Sequence, residues 1–158
     1  MTYSTATIDR AQTGLANGLV TGACIMTPVG EIPVGCLSVG DRIITRSGIR
    51  ALRAVHCTVL PVAQLVCISA SALGVEMPAE DLHVLPNQGI HIRDWRSMAL
   101  KGVPQAIFSA RDLADGEYIR LETVVGACLY SLEFENTEVI YANGVEVTCP
   151  GSGYRLPR

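Results

Sequence analysis

The hydrophobic and polar positions of the chain alternate in short runs, and residues typical of turns follow these runs at intervals of roughly 8–12 residues. Ala23–Met26 and Ala63–Ser69 are clear apolar runs, and Asn143–Gly144 is a dipeptide typical of a tight hairpin. No amphipathic helical pattern extends beyond about three turns, so only Trp95–Lys101 and Ser109–Leu113 are predicted as short helical segments. The pattern predicts an all-β domain of short, curved antiparallel strands with one or two short helical turns.

Proline and glycine divide the longer apolar stretches into separate predicted strands. These strands are Ile49–Val59, Ala63–Ser69, Tyr118–Thr123 and Ala127–Phe134. Pro61 is expected to end the first of them, because proline has no N–H group to donate to a neighbouring strand. For the same reason, Pro33 is expected to place the short run Ile32–Val34 at the edge of a sheet.

The composition narrows the class of protein. The chain has 158 residues, enough for one domain with a substantial core. Hydrophobic residues make up 49% of it, yet no apolar run approaches the roughly 18 residues of a membrane-spanning helix, so we expect no membrane span. A net charge of −3 and scattered Lys and Arg residues indicate no nucleic-acid surface. The N-terminal residues lack the features of a signal peptide, so we expect synthesis in the cytoplasm.

Six cysteines are spread along the chain, at positions Cys24, Cys36, Cys57, Cys67, Cys128 and Cys149. None of them forms a C-x-x-C pair, and each lies in or next to an apolar run. The closely spaced ligand pairs that are typical of zinc sites are absent from the sequence. We interpret the cysteines as free thiols that pack as small hydrophobic residues, and we expect no metal and no other cofactor.

Five segments combine turn residues and strand patterns in a fixed order. They are Gly22–Gly48, Asp81–Ile90, Ala110–Gly116, Tyr130–Gly144 and Pro150–Gly151. In this order and spacing they resemble the Hint domains of the hedgehog/intein superfamily, in its bacterial branch. The resemblance implies an all-β, horseshoe-shaped disc over residues 18–151, with an N-terminal arm at 1–17 and a C-terminal tail at 152–158.

The resemblance also implies where a self-cleaving site would lie. In active Hint domains a Cys or Ser at the first domain position attacks the preceding carbonyl, and a Thr and a His polarise the amide and protonate its nitrogen. Counted back from the first Thr-Pro turn, the first position is Gly18. The Thr and His positions carry Leu85 and Gln88, and two positions where the bacterial branch often has His carry Ser131 and Thr137. The catalytic positions are therefore predicted to be degenerate.

Other residues could supply a reactive site. Cys24 is an alternative nucleophile, with His83 and His91 as candidate acid–base residues, and a shift of register makes Thr21 a further candidate. His83 and His91 flank the second block, so they could also form a metal or hydrolytic pair. Against Cys24, this residue lies inside the first apolar run, where a side chain packs rather than attacks.

The sequence therefore favours a non-catalytic scaffold over an enzyme. We expect a structural, assembly or binding module with a protein partner or self-assembly through the N-terminal arm. A cement or decoration subunit of a virion is one such module, and this assignment rests on analogy between folds. The alternative is a self-cleaving Hint domain that uses a cysteine nucleophile.

Overall fold

The computed structural model describes residues 17–151, which are organised mainly in β-strands. The strands are β1 Leu19–Val20, β2 Cys24–Thr27, β3 Gly30–Pro33, β4 Arg42–Thr45, β5 Gly48–Ala51, β6 Ala54–Ile68, β7 Leu82–Val84, β8 Gly89–Ile92, β9 Ala106–Ser109, β10 Ile119–Glu133, β11 Glu138–Ala142 and β12 Val145–Cys149. This region also contains one α-helix, α1 (Trp95–Lys101), and short 3-10 turns at Val34–Cys36 and Ala110–Leu113. The all-β fold class predicted from the sequence is confirmed. The predicted tail, and the predicted arm except for Asn17, lie outside the described residues.

The described strands form two sheets. β1, β10, β6 and β7 close into a ring, in which β1 pairs with both β10 and β7. The second sheet has the order β3-β2-β11-β12-β8-β9, with β4 paired to β11 and β5 paired to β4. The pairings between these strands are antiparallel. Because β1 has only two residues and two neighbours, the residue before it is held between β7 and β10.

β6 and β10 form one continuous antiparallel pair, in contrast to the separate strands predicted from the sequence. Each strand has 15 residues, and β6 continues through Pro61 without a break. The residues on either side of Pro61 pair with those on either side of Gly126. Gly126 has a φ of 72°, a conformation open to glycine, and the exposed Pro61 needs no N–H partner there. The prediction that Pro61 ends a strand is wrong, because the opposing strand accommodates the proline with a glycine.

The turns of the second sheet follow the sequence prediction. Asn143 and Gly144, with φ angles of 50° and 89°, form the two-residue turn between β11 and β12. Asn143 Oδ1 also accepts a hydrogen bond from the N–H of Cys24 at 2.8 Å, which ties the turn to β2. The short strand β3 ends at Pro33 and lies at the edge of the sheet, as predicted.

The buried apolar side chains form two clusters. The larger one includes Ile25, Ile43 and Phe134. The smaller one consists of Leu60, Ala63, Leu65, Leu85, Ala127 and Leu129. Leu85 directly follows β7, so this smaller cluster extends to the end of the ring at which β1 begins. Within residues 17–151, no helix has the length and apolar character needed to cross a membrane.

Candidate functional site

Gly18 lies directly before β1, between β7 and β10. Its carbonyl oxygen accepts a hydrogen bond from the N–H of Leu85 at 3.1 Å. Its own N–H donates to Oε1 of Gln88 at 2.8 Å. Ser131 follows Tyr130, which pairs with the first residue of β1, so Ser131 lies at the same end of that strand. The structure therefore brings four of the five positions singled out by the family resemblance to one end of β1.

Gln88 is buried, and its amide group makes three hydrogen bonds. Oε1 accepts the N–H of Gly18, while Nε2 donates to the carbonyl oxygens of Gly89 at 3.0 Å and Thr148 at 2.8 Å. The two donated bonds fix the orientation of the amide, so the oxygen is the atom that faces Gly18. Gln88 thereby links the start of β1 in the ring to β8 and β12 in the second sheet.

The apolar side chain of Leu85 fills the space beside Gly18. Its side chain is 1% exposed and belongs to the smaller apolar cluster. A Cβ atom added at Gly18 would lie 2.9 Å from Leu85 Cδ1, closer than carbon atoms pack in proteins. Any side chain at position 18, including a nucleophilic one, therefore requires Leu85 to move.

The contacts of Gly18 define what this group of residues can do chemically. The N–H of Gly18 belongs to the peptide bond between residues 17 and 18, which the family resemblance implies as the cleavage site. A general acid has to donate a proton to the nitrogen of that bond. Oε1 of Gln88 instead accepts a hydrogen bond from the N–H of that nitrogen. The arrangement holds the peptide nitrogen in the state that it has in an uncleaved chain.

Thr137 is the fifth position singled out by the resemblance. It is exposed in the connection between β10 and β11. Its backbone nitrogen packs against Gly151, where an added Cβ atom would lie 2.8 Å from it. The close contact of Thr137 that the structure describes is therefore with the last described residue and not with the start of β1.

The two alternative nucleophiles, Cys24 and Thr21, have surroundings that differ from those of Gly18. Cys24 is partly buried in β2. Burial raises the pKa of its thiol above the ordinary value, and the carboxylates of Glu31 and Glu80 raise this pKa further. A raised pKa reduces the fraction of thiolate, which is the nucleophilic form of cysteine. The hydroxyl of Thr21 donates a hydrogen bond to the carbonyl oxygen of Cys128 at 3.4 Å.

His83 and His91 are each paired with a different carboxylate. His83 Nε2 lies 3.3 Å from Glu122 Oε2, and His91 Nδ1 lies 3.2 Å from Glu146 Oε2. His83 is on β7 in the ring, whereas His91 is on β8 in the second sheet. In the part of the chain that the structure describes, no group of three His, Cys, Asp or Glu ligand atoms contains both histidines. Each histidine therefore has its own acidic partner, and His91 also contacts Arg46, whose Nη1 lies 3.0 Å from His91 Nε2.

Two further groups of reactive or charged side chains were not found from the sequence. Glu146 is 3% exposed and lies beside three basic side chains, those of Arg46, His91 and Arg93. Cys57 on β6 and Cys128 on β10 bring their sulfur atoms to 3.3 Å. Both groups depend on the register between strands that are far apart in the chain, so no local spacing signals them.

Comparison with known proteins identifies the family. A family model described as the Hint domain matches residues 17–149. The chain therefore belongs to the Hint-domain family, as the sequence resemblance implied. No curated protein matches the chain.

Solved structures of intein-like proteins have the same fold. A bacterial intein-like domain from Clostridium thermocellum is 14% identical, with 82% of this chain and 96% of that chain covered and a TM-score of 0.61. The gp41-1 intein is 14% identical, with 83% and 97% covered and a TM-score of 0.57. A DnaB intein from Synechocystis sp. PCC 6803 is 11% identical, with 84% and 98% covered and a TM-score of 0.56. At these identities the similarity establishes the fold.

Proposed function

We propose that this chain is a non-catalytic Hint-fold module that acts as a structural, assembly or binding unit. The observation that supports this function is the hydrogen bond from the N–H of Gly18 to Oε1 of Gln88. This bond places an acceptor where the self-cleaving chemistry of the family needs a proton donor. Gly18 itself carries no nucleophile, and Leu85 occupies the space into which one would project.

The surface of α1 supports a role in binding. Of its seven residues, only Ser97 is buried. Trp95, Met98 and Leu100 are exposed to 70%, 54% and 61%. Trp95 and Met98, three residues apart, lie on the same side of the helix, and exposed apolar patches are typical of surfaces that contact another protein. This surface is consistent with the expected protein partner or self-assembly.

The finer expectations drawn from the sequence remain part of the proposal. They are the use of the N-terminal arm in assembly, synthesis in the cytoplasm, and a role as a virion cement or decoration subunit. The arm lies outside the described residues except for Asn17, and the virion role rests on analogy between folds.

Intact-mass measurement tests the absence of self-cleavage. The purified chain is incubated with and without an excess of a small thiol, which would cleave a thioester intermediate. We expect the full-length mass of 16.8 kDa to persist in both samples. Thiol-dependent release of residues 1–20 or 1–23 would instead assign the nucleophile to Thr21 or Cys24 and overturn the proposal.

Variants at positions 18, 85 and 88 test separately whether cleavage lacks a nucleophile or lacks the groups that polarise and protonate the amide. Gly18→Cys adds a thiol but keeps Leu85 and Gln88, so we expect its mass to remain intact. The triple variant Gly18→Cys, Leu85→Thr, Gln88→His carries all three family side chains and is the matched comparison. Thiol-dependent cleavage of the single variant would contradict the argument, because it would mean that the present residues at 85 and 88 support the reaction.

Size-exclusion chromatography with light scattering tests self-assembly. If α1 forms the contact, the wild-type chain forms a defined oligomer, and Trp95→Ser shifts it toward the monomer. Val75→Ser is the control, because Val75 is 90% exposed but lies in a loop outside α1. A monomer at every concentration contradicts self-assembly of the isolated chain.

A further inference from the structure

Three neighbouring strands place a thiol, an imidazole and a carboxylate together, away from the residues around Gly18. On the central strand β6, Cys67 pairs with His83 of β7 on one side and with Arg120 of β10 on the other. Glu122 lies two residues beyond Arg120, so it projects from the same face of β10. One potential ligand atom from each of Cys67, His83 and Glu122 lies within 4.8 Å of the other two.

The spacing of these atoms is close to that of ligands on a tetrahedral zinc ion. His83 Nε2 lies 3.3 Å from Glu122 Oε2. Two ligands bound to Zn²⁺ at about 2.0–2.1 Å in tetrahedral geometry are about 3.3–3.4 Å apart. A thiolate at about 2.3 Å from the same ion lies about 3.6 Å from the other ligands. The three ligand atoms therefore have to close by no more than about 1.2 Å, a movement that the partly exposed side chains of His83 and Glu122 can share.

The surroundings of Cys67 differ from those of a cysteine in a hydrophobic core. Cys67 is fully buried, yet it belongs to neither of the two apolar clusters. The side chains of His83 and Glu122 remain 33% and 29% exposed. The group therefore has a side that faces solvent, from which a water molecule can reach an ion held by the three residues.

Arg120 orients the carboxylate for such a role. Its Nε donates to Glu122 Oε1 at 2.9 Å, and this leaves Oε2 directed toward His83. A second nitrogen of the guanidinium, Nη1, donates to Ser69 Oγ at 2.9 Å. A hydrogen bond from a neighbouring side chain is the usual way in which a ligating carboxylate is held in place.

We propose that Cys67, His83 and Glu122 bind one divalent, borderline-soft cation of the Zn²⁺ class, with solvent in the fourth position. The thiolate and the carboxylate balance the charge of the ion, and the imidazole binds as a neutral ligand. Binding breaks the S–H bond and releases its proton to solvent. Because the thiol has to lose this proton to bind, affinity increases with pH.

The ion Co²⁺ is a suitable probe, because a thiolate bound to it gives charge-transfer absorption in the near ultraviolet. The reduced chain is freed of metal with a chelator, exchanged into chelator-free buffer and titrated with Co²⁺ and then with Zn²⁺. We expect one equivalent of Co²⁺ to produce the thiolate band and one equivalent of Zn²⁺ to remove it. Cys67→Ser should abolish the band, and His83→Gln or Glu122→Gln should weaken binding by about tenfold or more.

Two variants elsewhere on the same strand pair are matched controls. His56→Gln removes a similar His–Glu pair, in which His56 Nε2 lies 3.4 Å from Glu133 Oε1. Cys57→Ser removes one thiol of the Cys57–Cys128 pair, whose sulfur atoms lie 3.3 Å apart and are a competing candidate for a soft metal. Both variants should bind Co²⁺ as the wild type does.

The titration has outcomes that overturn the proposal. Absence of a thiolate band in the wild type, or a band that persists in Cys67→Ser, means that the three residues are an ion-pair network without metal affinity. Loss of the band in Cys57→Ser would instead show that the metal binds to the Cys57–Cys128 pair, which also overturns the proposal. If Cys67→Ser does not fold by circular dichroism, the partly exposed Glu122→Gln variant decides, since unchanged affinity there also overturns the proposal.

Discussion

Replacing Gln88 with alanine tests whether its amide connects the two sheets. The change removes the hydrogen bond that Gly18 donates and the two that Nε2 donates to the carbonyl oxygens of Gly89 and Thr148. The N–H of the buried Gly18 loses its partner, whereas the carbonyl of Gly89 keeps the hydroxyl of Thr148 as a donor. The variant thus leaves one buried donor without a partner, two carbonyl acceptors with one donor fewer each, and a cavity.

The expected decrease in the free energy of unfolding follows from the lost hydrogen bonds. A buried donor left without a partner costs about 1–3 kcal/mol, and each lost hydrogen bond contributes about 1 kcal/mol net. We therefore expect Gln88→Ala to lower the free energy of unfolding by about 3 kcal/mol, a large part of the roughly 5–15 kcal/mol of a typical domain. Gln88→Met keeps most of the volume but loses the same hydrogen bonds, so it should lose most of the same free energy, at least about 2 kcal/mol.

Urea unfolding followed by far-ultraviolet circular dichroism measures the effect. With a slope of about 1–3 kcal/mol per molar urea, Gln88→Ala should lower the midpoint by about 1 M or more. Gln105→Ala is the control, because Gln105 is exposed and should change the stability by less than about 0.5 kcal/mol. A Gln88→Met variant as stable as the wild type would refute the reasoning, since the hydrogen bonds would then contribute nothing.

Three further predictions concern charged and ionisable groups. Glu146→Gln should lower the free energy of unfolding by about 2 kcal/mol in urea, because its basic neighbours lose a buried counter-charge. A short alkylation pulse read by peptide mass spectrometry should label Cys128 well before Cys149, because the hydrogen bond from Cys57 lowers the pKa of Cys128, whereas burial raises that of Cys149 to about 12. The pKa of the Asp115 carboxyl is lowered chiefly by a hydrogen bond from the N–H of Ile119. The carboxylate therefore stabilises the fold above its unfolded pKa of about 3.9, and this stabilisation is lost as the pH falls through the lower folded pKa. Asp115→Asn should therefore lose less stability than the wild type when urea unfolding is repeated at decreasing pH.

Most of the fold was predictable because it depends on local patterns. The Asn143–Gly144 turn, the edge strand at Pro33 and the helix at Trp95–Lys101 each depend on a few adjacent residues. The length of β6 and β10 was not predictable in the same way. Whether Pro61 ends a strand depends on what lies opposite, and Gly126 is 65 positions away in the sequence.

The candidate sites show the same difference between what local sequence patterns predict and what depends on distant residues. The positions around Gly18 were selected by counting along the sequence, and the structure brings Gly18, Leu85 and Gln88 into contact. The group of Cys67 and Glu122 with His83 was missed, because its members come from three strands and no two lie close in sequence. The sequence argument against zinc considered closely spaced ligand pairs and not ligands aligned across a sheet.

Gly18, Leu85 and Gln88 fit one another, so that replacing one of them alone disturbs its contacts with the others. Glycine at 18 is compatible with Leu85, whose terminal carbon would otherwise meet a Cβ atom at 2.9 Å. Leu85 in turn fills the smaller apolar cluster, and Gln88 satisfies the backbone N–H that a catalytic histidine would have to serve. Because the three side chains share contacts, changes among them should be strongly non-additive. A side chain added at position 18 alone would meet neighbours suited to packing, so under the proposed non-catalytic role Gly18→Cys should stay uncleaved unless residues 85 and 88 are changed with it.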